Sequence, residues 1–306
     1  MMLSLCKEYW QFMLAQGFLM GTMMGLLQFP AFAAVSQYFD KKRAAALGAV
    51  VSGSSIGGVV FPIAFSKMLN STDLGFGWSV RIMAFIITPL MVFSCFAITA
   101  RLPPRKTKLF LPSAFKEATY VLIIIGMFLM FMGMFAPLFF IPTYAVSRGM
   151  KPTLAGYMLA IVNAASTFGR IIPGILADKY GRLNVFALGG VTSGITILCL
   201  NLAKTNAGII VYSVVVGFTT GTIISGGSAA LTVCTKNAQD LGTYMGMGLG
   251  VASLAALVGP PSQGALVDRY GGFQEVSILG GVVCLAGGLI VFASKATTPH
   301  GLVSKF

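Results

Sequence analysis

Residues 153–177 read TLAGYMLAIVNAASTFGRIIPGILA, an apolar run long enough to cross a bilayer and interrupted by one charge, Arg170. A lone guanidinium at that depth is costly, so it faces a cavity, a partner or an ionic ligand rather than lipid. Directly after it comes DKYGR (178–182), a charged turn of the kind that ends a span at the membrane surface. Together they point to a polytopic membrane protein with a polar route through it.

The rest of the chain agrees. Apolar residues are 56% of the 306 positions and charged residues only 9%, against about 25% charged in a soluble domain. The mean hydropathy is +0.86, and too few charges remain to cover a solvated surface. Nine runs are long enough to span the hydrocarbon, roughly 9–35, 44–66, 78–100, 118–145, 153–177, 183–203, 207–234, 241–267 and 276–294. Each approaches the roughly 20 residues a spanning helix needs. Backbone groups in lipid must pair internally, which makes the runs helices, and no alternating segments suggest a barrel. The weakest boundary is AKTN (203–206). The expected fold is therefore an all-α polytopic membrane bundle of about nine transmembrane helices. Pro30, Pro62, Pro89, Pro137, Pro142, Pro173, Pro260 and Pro261 fall inside the runs.

The net charge of +13 does not read as a nucleic-acid surface, because the basic residues sit in short loops between apolar runs. Five cysteines without paired spacing, and His300 alone near the end, give no disulfide framework and no metal site. No nucleophile–base pair is evident either, so no enzyme and no cofactor is expected. The loops DKKR (40–43), RLPPRKTKLFLPSAFKE (101–117), DKYGR, TKNAQD (235–240) and the C-terminal tail hold 13 Lys and Arg, and the other side holds 7. The positive-inside rule makes the first set cytoplasmic and the N-terminus extracellular or lumenal. The 101–117 segment divides the chain into a three-helix partial bundle (1–100), a cytoplasmic linker and a six-helix bundle with a short tail (118–306).

Small residues repeat at GxxxG spacing in three helices, at Gly53/Gly57, Gly217/Gly221 and Gly246/Gly250, and such faces let helices approach closely. A longer repeat pairs GRIIPGILADKYG (169–181) with GPPSQGALVDRYG (259–271). Gly169, Gly174, Leu176, Asp178, Tyr180 and Gly181 match Gly259, Gly264, Leu266, Asp268, Tyr270 and Gly271, with Lys179 opposite Arg269. The copies are three spans apart, which places them at opposite membrane faces, as in an inverted-topology repeat. Asp178 can accept a hydrogen bond from a helix terminus, and Lys179 and Arg182 can pair with carboxylates or lipid phosphates. Asp178, Lys179, Arg182, Asp268 and Arg269 are accordingly the expected gating residues.

These residues carry a resemblance. GRIIPGILADKYGRLN (169–184), RAAALGAVVSGSSIGGVVFP (43–62) and YWQFMLAQGFLMGTMMGLLQFPAFAAVSQYF (9–39) are similar to segments of the major facilitator superfamily, and within it of fungal monocarboxylate-transporter-like proteins. The resemblance runs from about residue 3 to 295. It implies that the nine spans correspond to helices four to twelve of such a transporter, an N-terminally truncated bundle. Arg170 falls where animal monocarboxylate transporters carry a carboxylate-binding arginine. Ser166 stands where those proteins have an acid for proton coupling, and Asn163 lies one turn further back. The resemblance thus implies a secondary active transporter of a small organic solute, a monocarboxylate or related organic anion. A co-transported proton is open, Arg170, Asn163 and Ser166 contact the solute, and the plasma membrane is favoured over vacuolar or other internal membranes. The alternative is a truncated, non-transporting membrane protein. Ser52, Ser54, Ser55 and Gly58 are expected to face lipid or an open cleft.

The charge split makes a direct prediction. A cysteine introduced by Lys108→Cys should react with a membrane-impermeant maleimide only after the cytoplasmic side is opened. Labelling from outside intact cells would reverse the orientation.

Overall fold

The computed structural model describes residues 1–39, 41–99, 101, 110–235 and 240–297. Asp40, Ala100, residues 102–109 of the linker, residues 236–239 and the tail from 298, His300 included, lie outside the described residues. Among the described residues nine helices are long and apolar enough to cross a membrane. They are α1 (Tyr9–Tyr38), α2 (Arg43–Ser71), α3 (Gly75–Ala97), α4 (Ala118–Ser147), α5 (Pro152–Tyr180), α6 (Arg182–Leu202), α7 (Asn206–Leu231), α8 (Leu241–Tyr270) and α9 (Gln274–Thr297). The protein is an all-α polytopic membrane bundle, as the apolar runs imply.

Each boundary has a local cause. The weak AKTN boundary holds because Thr205 caps α7, its hydroxyl accepting from the Gly208 amide at 3.1 Å. The two copies of the repeat end α5 and α8 on glycines with positive φ, Gly181 at 103° and Gly271 at 66°. Side chains rarely adopt that conformation, so glycine lets the chain turn there into the next helix. The eight internal prolines all lie within continuing helices. A helix embedded among others tolerates the lost donor because neighbouring groups can take up the freed carbonyl.

Glycine sets the packing of α4–α9. A Cβ on Gly169 of α5 would collide with the Phe218 carbonyl of α7, and one on Gly221 would come within 2.7 Å of the Ser166 carbonyl. On the α4–α9 seam a Cβ on Gly126 would lie 2.8 Å from the Gly287 carbonyl, and one on Gly280 would lie 3.1 Å from the Gly133 carbonyl. Gly194 and Gly281 do the same for α6 and α9. Backbone-to-backbone approach of this kind supplies the dispersion contacts that hold helices together where lipid removes the hydrophobic drive. The GxxxG reading needs correction here. Gly217 and Gly221 form a close interface, but a Cβ at Gly53, Gly246 or Gly250 would meet nothing within 4 Å, and at Gly57 only Phe61 of its own helix.

Helices α1–α3 are less enclosed. Helix α1 buries only Phe32, Ala34 and Ser36 near its C-terminal end, and α3 buries only Ser79. Helix α2 buries Ala44, Leu47, Gly48, Val51, Ser52 and Ser55, all in its first half. Its second half diverges from α5, leaving a cavity of about 470 Å³ lined by Pro62, Ser66, Asn70, Pro152, Tyr157 and others. So α2 closes on α5 at the end bearing Asp178 and opens at the other. Asp268 lies near that other end, because α8 runs away from the Asp178 end over 30 residues. The two motif copies therefore sit at opposite ends of the bundle.

The α5–α7 contact yields a stability prediction. Gly169→Ala must push α7 away and should cost about 1–3 kcal/mol, read as a lower unfolding midpoint in detergent. Gly246→Ala, with open space around it, should leave the midpoint unchanged. Equal midpoints for both would show that the close approach contributes little.

Candidate functional site

The seam between α2 and α5 gathers most of the residues singled out by sequence. At its closed end the Asp178 carboxylate accepts from two backbone amides at the start of α2, Ala44 at 3.0 Å and Ala45 at 2.8 Å. These are among the amides that no helix can satisfy internally. A carboxylate placed there also offsets the positive end of the helix dipole. Arg182, one turn on from Asp178, lies 3.7 Å from it and donates to the Thr232 hydroxyl at 3.0 Å. Asp178 thus ties α2 to α5, and Arg182 ties both to the end of α7.

One layer deeper, Gly48 abuts the Arg170 carbonyl and Gly174 abuts the Ala44 carbonyl. This closeness delivers the Arg170 side chain to α2. Its Nη1 donates to the Val51 carbonyl at 2.8 Å and to the Ser54 hydroxyl. Arg170 is only 6% exposed, its Nε is buried without a partner, and among the described residues no carboxylate pairs with it. A buried cation without a counter-charge is expensive, and hydrogen bonds to neutral groups offset only part of that cost.

Further along, Ser55 and Ser166 hydroxyls meet at 3.5 Å. Asn163 donates to the Leu159 carbonyl at 2.9 Å and approaches the Gly58 carbonyl at 3.5 Å. Arg170, Ser166 and Asn163 thus lie on one face of α5 with α2 opposite each of them. The expectation that Ser52, Ser54, Ser55 and Gly58 face lipid or an open cleft is overturned for Ser52 and Ser55, which are buried, and for Gly58, which packs on Asn163, whereas Ser54 is exposed and engages Arg170 from there.

The remaining candidates separate. Lys179 is exposed beside the latch, its ammonium 5.3 Å from the Tyr180 ring. In the second copy Arg269 lies 5.7 Å from the Tyr270 ring in the same relation, but Asp268 is exposed and has no hydrogen-bond or ion-pair partner among the described residues. The structure adds groups that the sequence reading did not name: the amides of Ala44 and Ala45, the Val51 carbonyl and Thr232. Three are backbone groups without a residue signature. The only hint was the small-residue run GAVVSGSSIGG, which permits close approach.

The Major Facilitator Superfamily model matches residues 1–182 and again 123–305. The agnestins efflux protein of Paecilomyces divaricatus is 40% identical over 99% of this chain and 70% of its own length. The chain belongs to the Major Facilitator Superfamily. The aspyridones efflux protein of Emericella nidulans is 47% identical over 98% of the chain, and the chain spans 62% of that relative's length. An Aspergillus niger protein named as an MFS-type transporter is 38% identical over 96% of the chain and 69% of its own length. Crystal structures of the E. coli fucose:proton symporter, one in the outward conformation, share the fold at TM-score 0.74. They are 15% and 14% identical and cover 94% of this chain and 77% of theirs. The matched family and these relatives are transporters rather than enzymes, in line with the non-enzymatic expectation.

The latch can be tested in the superfamily member as it stands. Asp178→Ala removes the acceptor for two amides, worth about 1–2 kcal/mol by analogy with helix caps. A reporter cysteine at Ser52, buried behind the latch, should then react with a thiol reagent several-fold faster. Asp268→Ala should leave that rate unchanged. Equal rates in all three backgrounds would remove Asp178 from the role.

Proposed function

We propose that the protein is a secondary active transporter that moves a small organic anion by alternating access. Residues 1–100 and 118–306 are the two bodies that rock, with 101–117 as the cytoplasmic linker between them. The observation that carries the reading is Arg170, a buried guanidinium with an unbonded Nε and, among the described residues, no carboxylate partner, seated on the face of α5 that meets α2. A carboxylate solute would supply the missing charge. Arg170 recognises it, with Ser166 and Asn163 lining the same face of α5. The Asp178 latch closes the cytoplasmic end while the far ends of α2 and α5 stand apart, an outward-facing arrangement. Opening inward requires Asp178 to release α2, and Lys179 and Arg182 steady that end. Asp268 and Arg269 occupy the corresponding place at the extracellular end and act when that end closes. Export is the proposed direction, since the 47% and 40% identical relatives are named for efflux. The solute is a monocarboxylate or a related organic anion, and the plasma membrane is the proposed site. With Ser166 at the position where an acid would relay protons, any proton coupling uses another group.

The test is saturable flux in liposomes reconstituted with the chain, using a panel of monocarboxylates and riboflavin-like solutes. An anionic solute should be transported, and Arg170→Lys should weaken its apparent affinity about ten-fold or more, because an ammonium lacks the planar fork that grips a carboxylate. Unchanged affinity for every transported anion would exclude direct recognition by Arg170. Absence of flux from the wild-type chain would favour the non-transporting alternative.

A further inference from the structure

A second site lies on the outer surface of the bundle, away from the seam. Between Pro173 and the Gly181 turn, α5 and α6 wall a groove whose third side is α7. The resulting groove encloses about 350 Å³ and is walled by Pro173, Leu176, Tyr180, Leu188, Phe218 and Thr222, among others. Its lining is almost wholly apolar. Leu176, Tyr180, Leu188 and Phe218 also present exposed apolar surface around it, so it opens toward the lipid and not toward the cleft between the bodies. The size falls within the roughly 300–1,000 Å³ of small-molecule sites.

The mouth of the groove is different in character. It lies at the Asp178 end, where Lys179 projects beside Tyr180 with no carboxylate partner among the described residues. On the other wall the Lys295 ammonium donates to Asn184 Oδ1 at 2.6 Å, while Asn184 Nδ2 donates to the Tyr180 carbonyl at 2.8 Å. Lys295, Asn184 and Tyr180 thus fix the rim between α9, α6 and α5. An adjoining polar cavity of about 380 Å³, lined by Asp178, Lys179, Arg182 and Thr232, lies on the other side of the same turn. Lys295 is buried against Asn184 and Arg182 is paired with Asp178, so among the described residues the exposed charge at this rim is the Lys179 ammonium, while the groove behind it is oily.

We propose that this groove seats one acyl chain of an anionic phospholipid of the cytoplasmic leaflet, with the headgroup phosphate held by Lys179. Charge complementarity selects the occupant. An apolar channel that opens into the bilayer beneath a basic rim matches a molecule with an anionic head and a hydrocarbon tail, and basic pockets between helices on this side take anionic headgroups. Tyr180 belongs at such an interface, its ring against the chain and its hydroxyl toward the headgroups. The lipid would rest on the turn that carries Asp178, so it would stiffen the latch from outside. The proposal does not depend on which solute is carried.

The experiment is native mass spectrometry of the delipidated full chain titrated with phosphatidylserine or phosphatidylcholine. Phosphatidylserine should be retained at least five-fold better. Lys179→Gln should bring its retention down to the phosphatidylcholine level, and Lys179→Arg should preserve the preference. Thr192→Phe, on the groove wall, should reduce retention of both lipids, with helical content by circular dichroism confirming that the variant folds. Soluble glycerophosphoserine should compete poorly. Equal retention of the two lipids, or no effect of Lys179→Gln, overturns the headgroup assignment. Undiminished retention by a folded Thr192→Phe, or full competition by the chainless headgroup, overturns the acyl site.

Discussion

The contact on which the rest depends is the approach of three backbones around Gly169–Gly174. Helix α7 comes so near that the Phe218 carbonyl lies over Gly169, while α2 lays Gly48 on the Arg170 carbonyl and Ala44 against Gly174. With any larger residue at these glycines the helices would stand apart. Arg170 could not then reach the Val51 carbonyl, and Asp178 could not reach the amides of α2. The polar chemistry of the seam is thus a consequence of apolar close packing. Lipid gives helices little hydrophobic reason to associate, so the fit of backbone to backbone must supply it.

This explains what was legible from the sequence. Hydropathy and length identified all nine spans, because a bilayer imposes its thickness on every crossing helix. The AKTN boundary was the hardest to read, yet it carries a capping threonine. Arg170 stood out because charge in a span is rare, and the Asp178 and Asp268 motifs stood out because they repeat. Their partners did not. The Asp178 acceptor is matched by two amides, and an amide looks the same in every residue. Glycine spacing misled for a related reason. A Cβ at Gly246 or Gly250, which have the expected separation, would meet nothing within 4 Å, whereas Gly126, Gly133, Gly280 and Gly287 build a seam at a seven-residue spacing.

The two copies of the motif show how one sequence pattern can occupy two states. Both end in a positive-φ glycine, and both stack a cation on the tyrosine that precedes it. Among the described residues only the first finds a helix terminus for its aspartate. The difference lies in the surroundings: α2 begins beside Asp178, while Asp268 faces open space in this arrangement. Repeated local structure with unlike partners fits a protein whose two ends alternate, and it ties the sequence repeat to a physical asymmetry of the fold.

The backbone character of the latch has a consequence for how the protein tolerates change. Asp178 is held by a side chain on one helix and by bare peptide groups on the other, so the two halves of the interaction differ in mutational exposure. Most substitutions at 178 damage it. At 44 and 45 the donor survives any small replacement that fits the seam, because every residue but one has an N–H to offer. Proline is the exception, and the first turn of a helix is where proline fits without breaking the helix. The donating half of the latch is therefore silent to alanine scanning and visible only to the imino acid.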